Sequence, residues 1–476
     1  MRYLIYIYSL FFSFLSVWAQ TPPTSQANSI DLESATISLS FKNYLDFVKT
    51  FHPVAKQADL QISKADTYLL KAKGGIDPKL EIDFNQKKFK DKSYYKILNS
   101  KFKIPTWYGV NFKAGFENND GYYLDPSLTV PDSGLLATGV ELDLGRGTLI
   151  NPRIIALKQA RIYQKETTQK QQLQISELLY KASTAYAEWF KNYQKYILIQ
   201  KFIKNNKQRF IRIKQGYQAG QYAAIDTLEA FVNLQKNTLR LQDATLNVQK
   251  ARLKTSNYLW ISNELPLEIK ATTAPEALSK VEIQSLYEEI SLKQNLELNN
   301  HPKLKAFDFK IQGLNLQQRL HRNNLLPKIN LSYSWIQELT KPYQNELNTN
   351  YKFGVGFYTS LFLRKERASL KLTKLKVQET QWEALDLKNT LKNKLTASKT
   401  QIKSYDDQWL LAGDMSTNFG RMLQAEKIKF EAGESSLFYV DVRESKFLEA
   451  QIKQNELLFK FWKAHAQYIK NCGSYL

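Results

Sequence analysis

Proline placement constrains this chain more than any other feature, because proline breaks the interior of a helix. The thirteen prolines stand at 22, 23, 53, 78, 105, 126, 131, 152, 266, 275, 302, 327 and 342. Two long proline-free tracts remain, 153 to 265 and 343 to 476. The first opens on "INPRIIALKQAR", where Asn151 suits an N-cap and Pro152 the first helical position. Apolar residues then recur at Ile175, Leu178, Ala182, Tyr186, Trp189, Tyr193 and Tyr196, close to the 3.5-residue period of a coiled-coil seam. A helix over 152–215 would run ~93 Å at 1.5 Å per residue, wider than an ordinary domain. The second tract, rich in helix formers, predicts a matching helix over 365–430.

The chain also repeats itself. "HPVAKQADLQI" at 52 and "HPKLKAFDFKI" at 301 align at a constant offset, and Pro78 and Pro327 follow their histidines by the same distance. Each His-Pro reads as a helix start, His as cap and Pro at the first helical position, rather than as a metal ligand. The predicted helices are 52–76 and 301–325. Each long helix ends in a glycine-containing break, "YQAGQYAAIDTLEA" and "FEAGESSLFYVDVRES", which predicts tips at 216–226 and 431–441 and returning helices over 226–262 and 441–470. Asp226 and Glu229, and likewise Asp441 and Glu444, have the Asp-x-x-Glu spacing that caps a helix start.

Between each His-Pro helix and each long helix the period changes to two. "KLEIDFNQ", "GVELDLG", "KINLSYSWIQE" and "YKFGVGFYTSLFL" alternate apolar and polar residues, as strands of a transmembrane β-barrel do. The barrel strands are therefore expected within 78–146 and 327–363, four per chain. The intervening region 94–134 suggests one additional hairpin with its tip outside the membrane and Pro126 and Pro131 in loops.

The start, "MRYLIYIYSLFFSFLSVWAQ", reads as a signal peptide over 1–19, followed by an N-terminal periplasmic segment over 20–40. No other apolar run is long enough for a membrane-spanning helix, so an exported chain of this kind would cross a membrane only as closed strands. One cysteine, Cys472, and four histidines offer no disulfide framework, metal site or cofactor site. The net charge of +22 points to nucleic acid in a cytoplasmic protein, but in an exported one to solvated helix faces or a positively lined passage. No hydrolase, zinc-protease or dinucleotide motif stands in its required context, so no enzyme is expected.

Taken in order, "HPVAKQADLQISKADTYLLKAKGGIDPKLEI", "GVELDLGRGTLINPRIIALKQAR", "YQAGQYAAID", "HPKLKAFDFKIQGLNLQQRLHRNNLLPKINL", "SLFLRKERASLKLTKLK" and "FEAGESSLFYVD" resemble the TolC-like outer membrane efflux proteins over nearly all of 40–470. The resemblance implies a mainly α fold with a transmembrane β part. Two pseudo-repeats, 41–262 and 286–470, would be joined by an equatorial linker at 263–285. It implies a homotrimer with a twelve-stranded β-barrel and a periplasmic α-helical barrel, set in outer-membrane lipid. Its partners would be a periplasmic adaptor and an inner-membrane transporter, and its role that of an efflux channel, with no catalytic residue and no nucleic acid. Adaptor contacts would fall on Ala219, Gly220, Gln221, Ala432, Gly433 and Glu434. Asp226, Glu229, Asp441 and Glu444 would either line the aperture gate or only cap helices, because the second tip has a longer glycine-to-aspartate spacing and Ser435 where some relatives carry an arginine. The alternative to the channel is a periplasmic coiled-coil adaptor or scaffold without a pore.

Overall fold

Three helices begin where a side chain accepts a backbone N–H of the first turn. The computed structural model describes residues 38–147, 150–262, 264–292, 298–340 and 349–474, so the expected signal peptide lies outside the described residues. Helix α1 (Phe41–Phe51) leads into α2 (Pro53–Lys73), where His52 Nδ1 accepts the Val54 N–H at 3.1 Å. After a first set of strands comes α3 (Pro152–Gln218), whose Asn151 Oδ1 accepts the Ile154 N–H at 2.9 Å. Helix α4 (Ala224–Ser256) returns along it, and α5 (Lys280–Leu292) follows. The second repeat opens with α6 (Pro302–Asn323), capped by His301 Nδ1 on the Lys303 N–H at 3.0 Å, as at His52. Burial lowers the His301 pKa to about 4, which keeps the imidazole neutral and able to accept that bond. A second set of strands, then α7 (Arg364–Glu431) and α8 (Leu437–Asn471), complete the repeat.

At 67 and 68 residues, α3 and α7 are each ~100 Å long, and they pair with α4 and α8 respectively. The part of α3 nearer the strands packs on α2 through a polar ladder: Gln164 to Asp66 at 2.6 Å, Gln171 to Asp59 at 2.6 Å and Gln61 to Gln174 at 3.0 Å. The core lies at the waist. Phe41 and Tyr44 from α1, Tyr186 and Trp189 from α3, Tyr287 from α5 and Trp462 from α8 are buried together there. Each such aromatic contributes about 1.5–3 kcal/mol by leaving water. Tyr186 Oη donates to the Leu39 carbonyl at 2.5 Å and Trp462 Nε1 to Tyr287 Oη at 3.1 Å, whereas the buried Trp189 Nε1 has no hydrogen-bond partner among the described residues. The segment 264–292 is more than a connection. It supplies Ile269, Ile283 and Tyr287 to this core, and Ala274–Pro275 pairs in parallel with Ser38–Leu39.

The helix seams also show what the chain leaves uncovered. On α4, Ala230, Asn237, Ala244 and Ala251 recur every seventh residue and are buried. A second series at the same period, Ile225, Val232, Leu239, Leu246 and Leu253, stays exposed, with Leu239 64% accessible. A coiled-coil stripe of this kind requires a second apolar surface.

The strands form one antiparallel sheet in the order β1 (Lys79–Phe89), β2 (Lys92–Pro105), β3 (Val110–Asp120), β4 (Leu135–Gly145), β5 (Lys328–Glu338) and β6 (Tyr351–Tyr358). Among the described residues the sheet has six strands, where four barrel strands and a separate hairpin were expected. The region 94–134 is drawn into the same ladder as β2 and β3. Their connecting turn at 106–109 also lies at the opposite end from that expected. Asn151 Nδ2 donates to the Trp107 carbonyl at 2.7 Å, and Arg153 Nη1 to the Thr106 carbonyl at 3.3 Å and Asn111 Oδ1 at 3.0 Å. The start of α3 thus holds this turn at the helix side of the sheet. Pro126 and Pro131 fall in the connection between β3 and β4, as expected.

Opposed residues share a face in an antiparallel pair, so the register divides the whole sheet into two sides. One carries Leu80, Phe84, Phe102, Phe112, Val140, Leu142, Leu331, Tyr333, Phe353 and Val355. The other carries Glu81, Asp83, Lys101, Lys103, Lys113, Glu141, Asp143, Ser332 and Lys352. On that second side Glu141 accepts from Lys103 at 2.9 Å and is also paired with Lys113.

Candidate functional site

At the far end of the helices the two repeats meet again, as they do in the sheet and at the waist. Helix α3 ends with Gly220 at φ +75°; the Gly220 N–H reaches the Tyr217 carbonyl at 3.0 Å, and the Gln221 N–H reaches Gly216 at 2.8 Å. Helix α7 ends identically, with Gly433 at φ +79°, its N–H on Phe430 at 3.1 Å, and the Glu434 N–H on Lys429 at 2.9 Å. This pattern closes the last carbonyls of both helices and leaves Ala219, Gly220, Gln221, Ala432, Gly433 and Glu434 exposed. The Tyr222 ring stacks on Phe430 at 6.1 Å with an 8° interplanar angle, and a small cluster of Ile213, Ala230 and Leu437 lies behind it. The two tips are therefore one surface.

Neither glycine is crowded: a Cβ built at Gly220 or Gly433 meets nothing within 4 Å. Their requirement is the left-handed backbone alone. Gly220→Ala and Gly433→Ala are each expected to cost about 1–2 kcal/mol, and Asn at either position less, because Asn enters this region more readily. Thermal unfolding with hydrogen exchange at the tips measures both.

The four carboxylates separate into different roles. Asp226 caps its helix, its Oδ2 accepting the Ala223 N–H at 3.1 Å. Asp441 does not, because α8 already begins at Leu437, four residues earlier. Instead Asp441 Oδ1 accepts from Arg209 Nη1 at 2.9 Å, and Glu444 pairs with Nη2 of the same guanidinium. Arg209 Nη2 also donates to Asn206 Oδ1 at 2.6 Å. Asn233 of α4 also hydrogen-bonds to Asp441, and the charge of Glu229, on the same helix, acts on it. Ser435 has a separate partner: its hydroxyl donates to Glu426 Oε1 at 2.6 Å, which holds that carboxyl below its ordinary pKa, with Arg443 Nε at 3.5 Å.

Arg209 and Asn206 carry the site but stand in no local motif. The signal for them is the seam of α3, where Ile199, Phe202, Asn206, Ile213 and Gly216 are buried and Arg209 fills the vacant 3-4 position. Polar residues at seam positions need partners, and here those partners lie in the other repeat.

Asp441 titrates at about 6, against 3.8 ordinarily: burial raises it most, Arg209 lowers it, and Glu444 and Glu229 raise it again. Folding thus favours the protonated acid. The contribution is full below about pH 4 and is lost as pH rises through about 6. Asp441→Asn keeps the shape without the charge, and Glu444 remains to hold Arg209. It is expected to raise stability by about 1 kcal/mol at pH 8, with no gain at pH 4, as read by thermal unfolding at both values.

Similarity to known proteins lies in the structure. No family model and no curated protein sequence matches the chain. Among solved structures, the outer membrane protein VceC of Vibrio cholerae superimposes with a TM-score of 0.65 at 12% identity, over 91% of this chain and 96% of that one. The CmeC outer membrane channel of Campylobacter jejuni gives 0.63 at 13% identity, over 91% and 85%. The open state of the MtrE outer membrane channel of Neisseria gonorrhoeae gives 0.63 at 12% identity, over 91% and 88%. The chain therefore has the fold of the TolC-like outer membrane channels, along nearly its whole described length.

Proposed function

We propose that this protein is an outer membrane channel through which cargo delivered by an inner-membrane pump and a periplasmic adaptor leaves the cell. One observation carries the reading: a six-stranded sheet with one apolar and one polar face joins directly to helices of 67 and 68 residues. The apolar face matches lipid and the polar face a water-filled lumen. Strands of eleven residues are long enough to cross a membrane. The helices then carry the passage into the periplasm. A periplasmic scaffold without a pore has no use for such a sheet.

Four strands or six cannot close alone, and the exposed stripe from Ile225 to Leu253 calls for a neighbouring helix, so the working unit is an assembly of identical copies, three in this reading. The adaptor docks on the exposed tip made by Ala219, Gly220, Gln221, Ala432, Gly433 and Glu434. Arg209, held between Asp441 and Glu444, ties α3 to α8 at this end and keeps the aperture narrow. The passage is passive: the chain supplies a route and no energy. Purified oligomer in liposomes loaded with a small dye tests this. Dye release by the protein and retention by empty liposomes support the channel; retention by both contradicts it.

A further inference from the structure

The number of strands sets the width of the passage. Three copies of a four-stranded contribution give the expected twelve; this chain contributes six. We infer that three copies close as an eighteen-stranded barrel, each copy's Lys79–Phe89 edge pairing with the next copy's Tyr351–Tyr358 edge. The inference rests on the channel reading above and on its three copies.

Strand direction permits this closure. Strand β1 leaves the helix-side end of the sheet and β6 returns to it, so β6 of one copy lies antiparallel to β1 of the next. Among the described residues each outer strand has a neighbour on one side only, and in lipid an open edge leaves its N–H and carbonyl groups without partners. The added strands belong to the barrel wall because their faces continue it. Phe84, Leu98 and Phe102 extend the apolar side, and Asp83, Lys101 and Lys103 extend the polar side.

The register supplies an independent check. Lys79, Lys103, Lys113, Gly139, Ser334 and Lys352 form one row of cross-strand partners across the sheet. Lys79 begins its strand at the helix side, but Lys352 lies six residues from the helix-side end of its own strand, Tyr358. Six residues over five strand-to-strand steps is a shear of about 1.2 residues per strand. At about 3.4 Å per residue and 4.8 Å between strands, that is a tilt of about 40°, within the range of closed membrane barrels.

Aligning the helix-side ends also fixes which residues meet. Only a pairing of odd β1 residues with even β6 residues keeps both faces continuous. That places Lys79 opposite Tyr358, Glu81 opposite Gly356, Asp83 opposite Gly354 and Asn85 opposite Lys352. Leu80, Ile82 and Phe84 then meet Phe357, Val355 and Phe353 on the lipid side. Lys352 stands diagonal to Asp83, an opposite charge on the lumen side. Barrel diameter grows roughly in proportion to strand number, so this barrel is about half as wide again as one of twelve strands.

Cysteine pairs in a Cys472→Ser background test the closure, read with the native mass of the detergent-purified oligomer. Asn85→Cys with Lys352→Cys is expected to give covalent dimers and trimers under oxidation, in a particle of three copies. Lys113→Cys with Gly356→Cys reports the competing arrangement, in which β1 and β2 stand outside a twelve-stranded barrel and β3 is the edge. A three-copy particle cross-linked only by this second pair overturns the eighteen-stranded barrel and leaves the channel intact. A two-copy particle cross-linked by the first pair overturns it too, since two copies close with twelve strands. A water-soluble monomer cross-linked by neither pair overturns the channel reading itself.

Discussion

Arg209→Met is expected to open the helical tip. The guanidinium is the charge that compensates both Asp441 and Glu444, and Glu444 is only 4% accessible. Removing one member of a buried ion pair costs about 3–5 kcal/mol, because the remaining charge stays buried without a partner. In the proposed oligomer each copy suffers this loss at the same aperture. The expected result is a severalfold rise in single-channel conductance in planar bilayers and faster hydrogen exchange at the ends of α3 and α8. Adding Asp441→Asn and Glu444→Gln to Arg209→Met removes the stranded charges and is expected to recover most of the lost stability. Unchanged conductance and unchanged exchange in Arg209→Met would show that the three side chains do not hold the tip.

The second large effect is expected in the sheet. Leu331 lies on the apolar face, opposite Leu142 and Val355, whereas its neighbour Ser332 lies on the polar face, opposite Glu141 and Gly354. An arginine facing lipid near the middle of a membrane strand costs about 2–4 kcal/mol, and each copy of an oligomer bears that cost. Leu331→Arg is therefore expected to reduce assembled oligomer in the membrane at least ~10-fold at equal expression. Ser332→Arg, one residue along, lies on the polar face beside Glu141 and is expected to assemble like the unaltered protein. Quantifying oligomer on unheated gels distinguishes the two. Equal losses would mean that this sheet is not divided between lipid and water.

Long-range order and local chemistry were not equally legible in the sequence. Proline spacing located both long helices to within a few residues, since a ~100 Å helix tolerates no proline inside it. The His-Pro repeats were readable as caps because capping is a contact between neighbours in sequence: His52 to Val54 and His301 to Lys303. Both tip glycines were readable for the same reason. The strand count was not. In β2, Tyr95 and Ile97 fall on the polar side and Ser100 on the apolar side, so the alternation that marks β1 is blurred. Small residues such as Ala114 and Gly115 weaken it again in β3. Only pairing with better-patterned neighbours fixes these strands in register.

The role of Asp441 was hidden for a different reason. Its spacing to Glu444 is that of a cap, but its partner Arg209 stands 232 residues earlier, in the other repeat. That partner becomes visible only when the two helical hairpins are laid together. The polar gap at Asn206 and Arg209 in an otherwise apolar seam was the one sequence sign that such a partner exists.

The most direct test of the account is where the protein resides and in what form. Membranes separated on a density gradient are run on gels with and without heating. The protein is expected in the outer-membrane fraction, as an oligomer that survives detergent at low temperature and falls to a single chain when boiled. Recovery as a soluble periplasmic monomer, with the same mobility before and after heating, would contradict it.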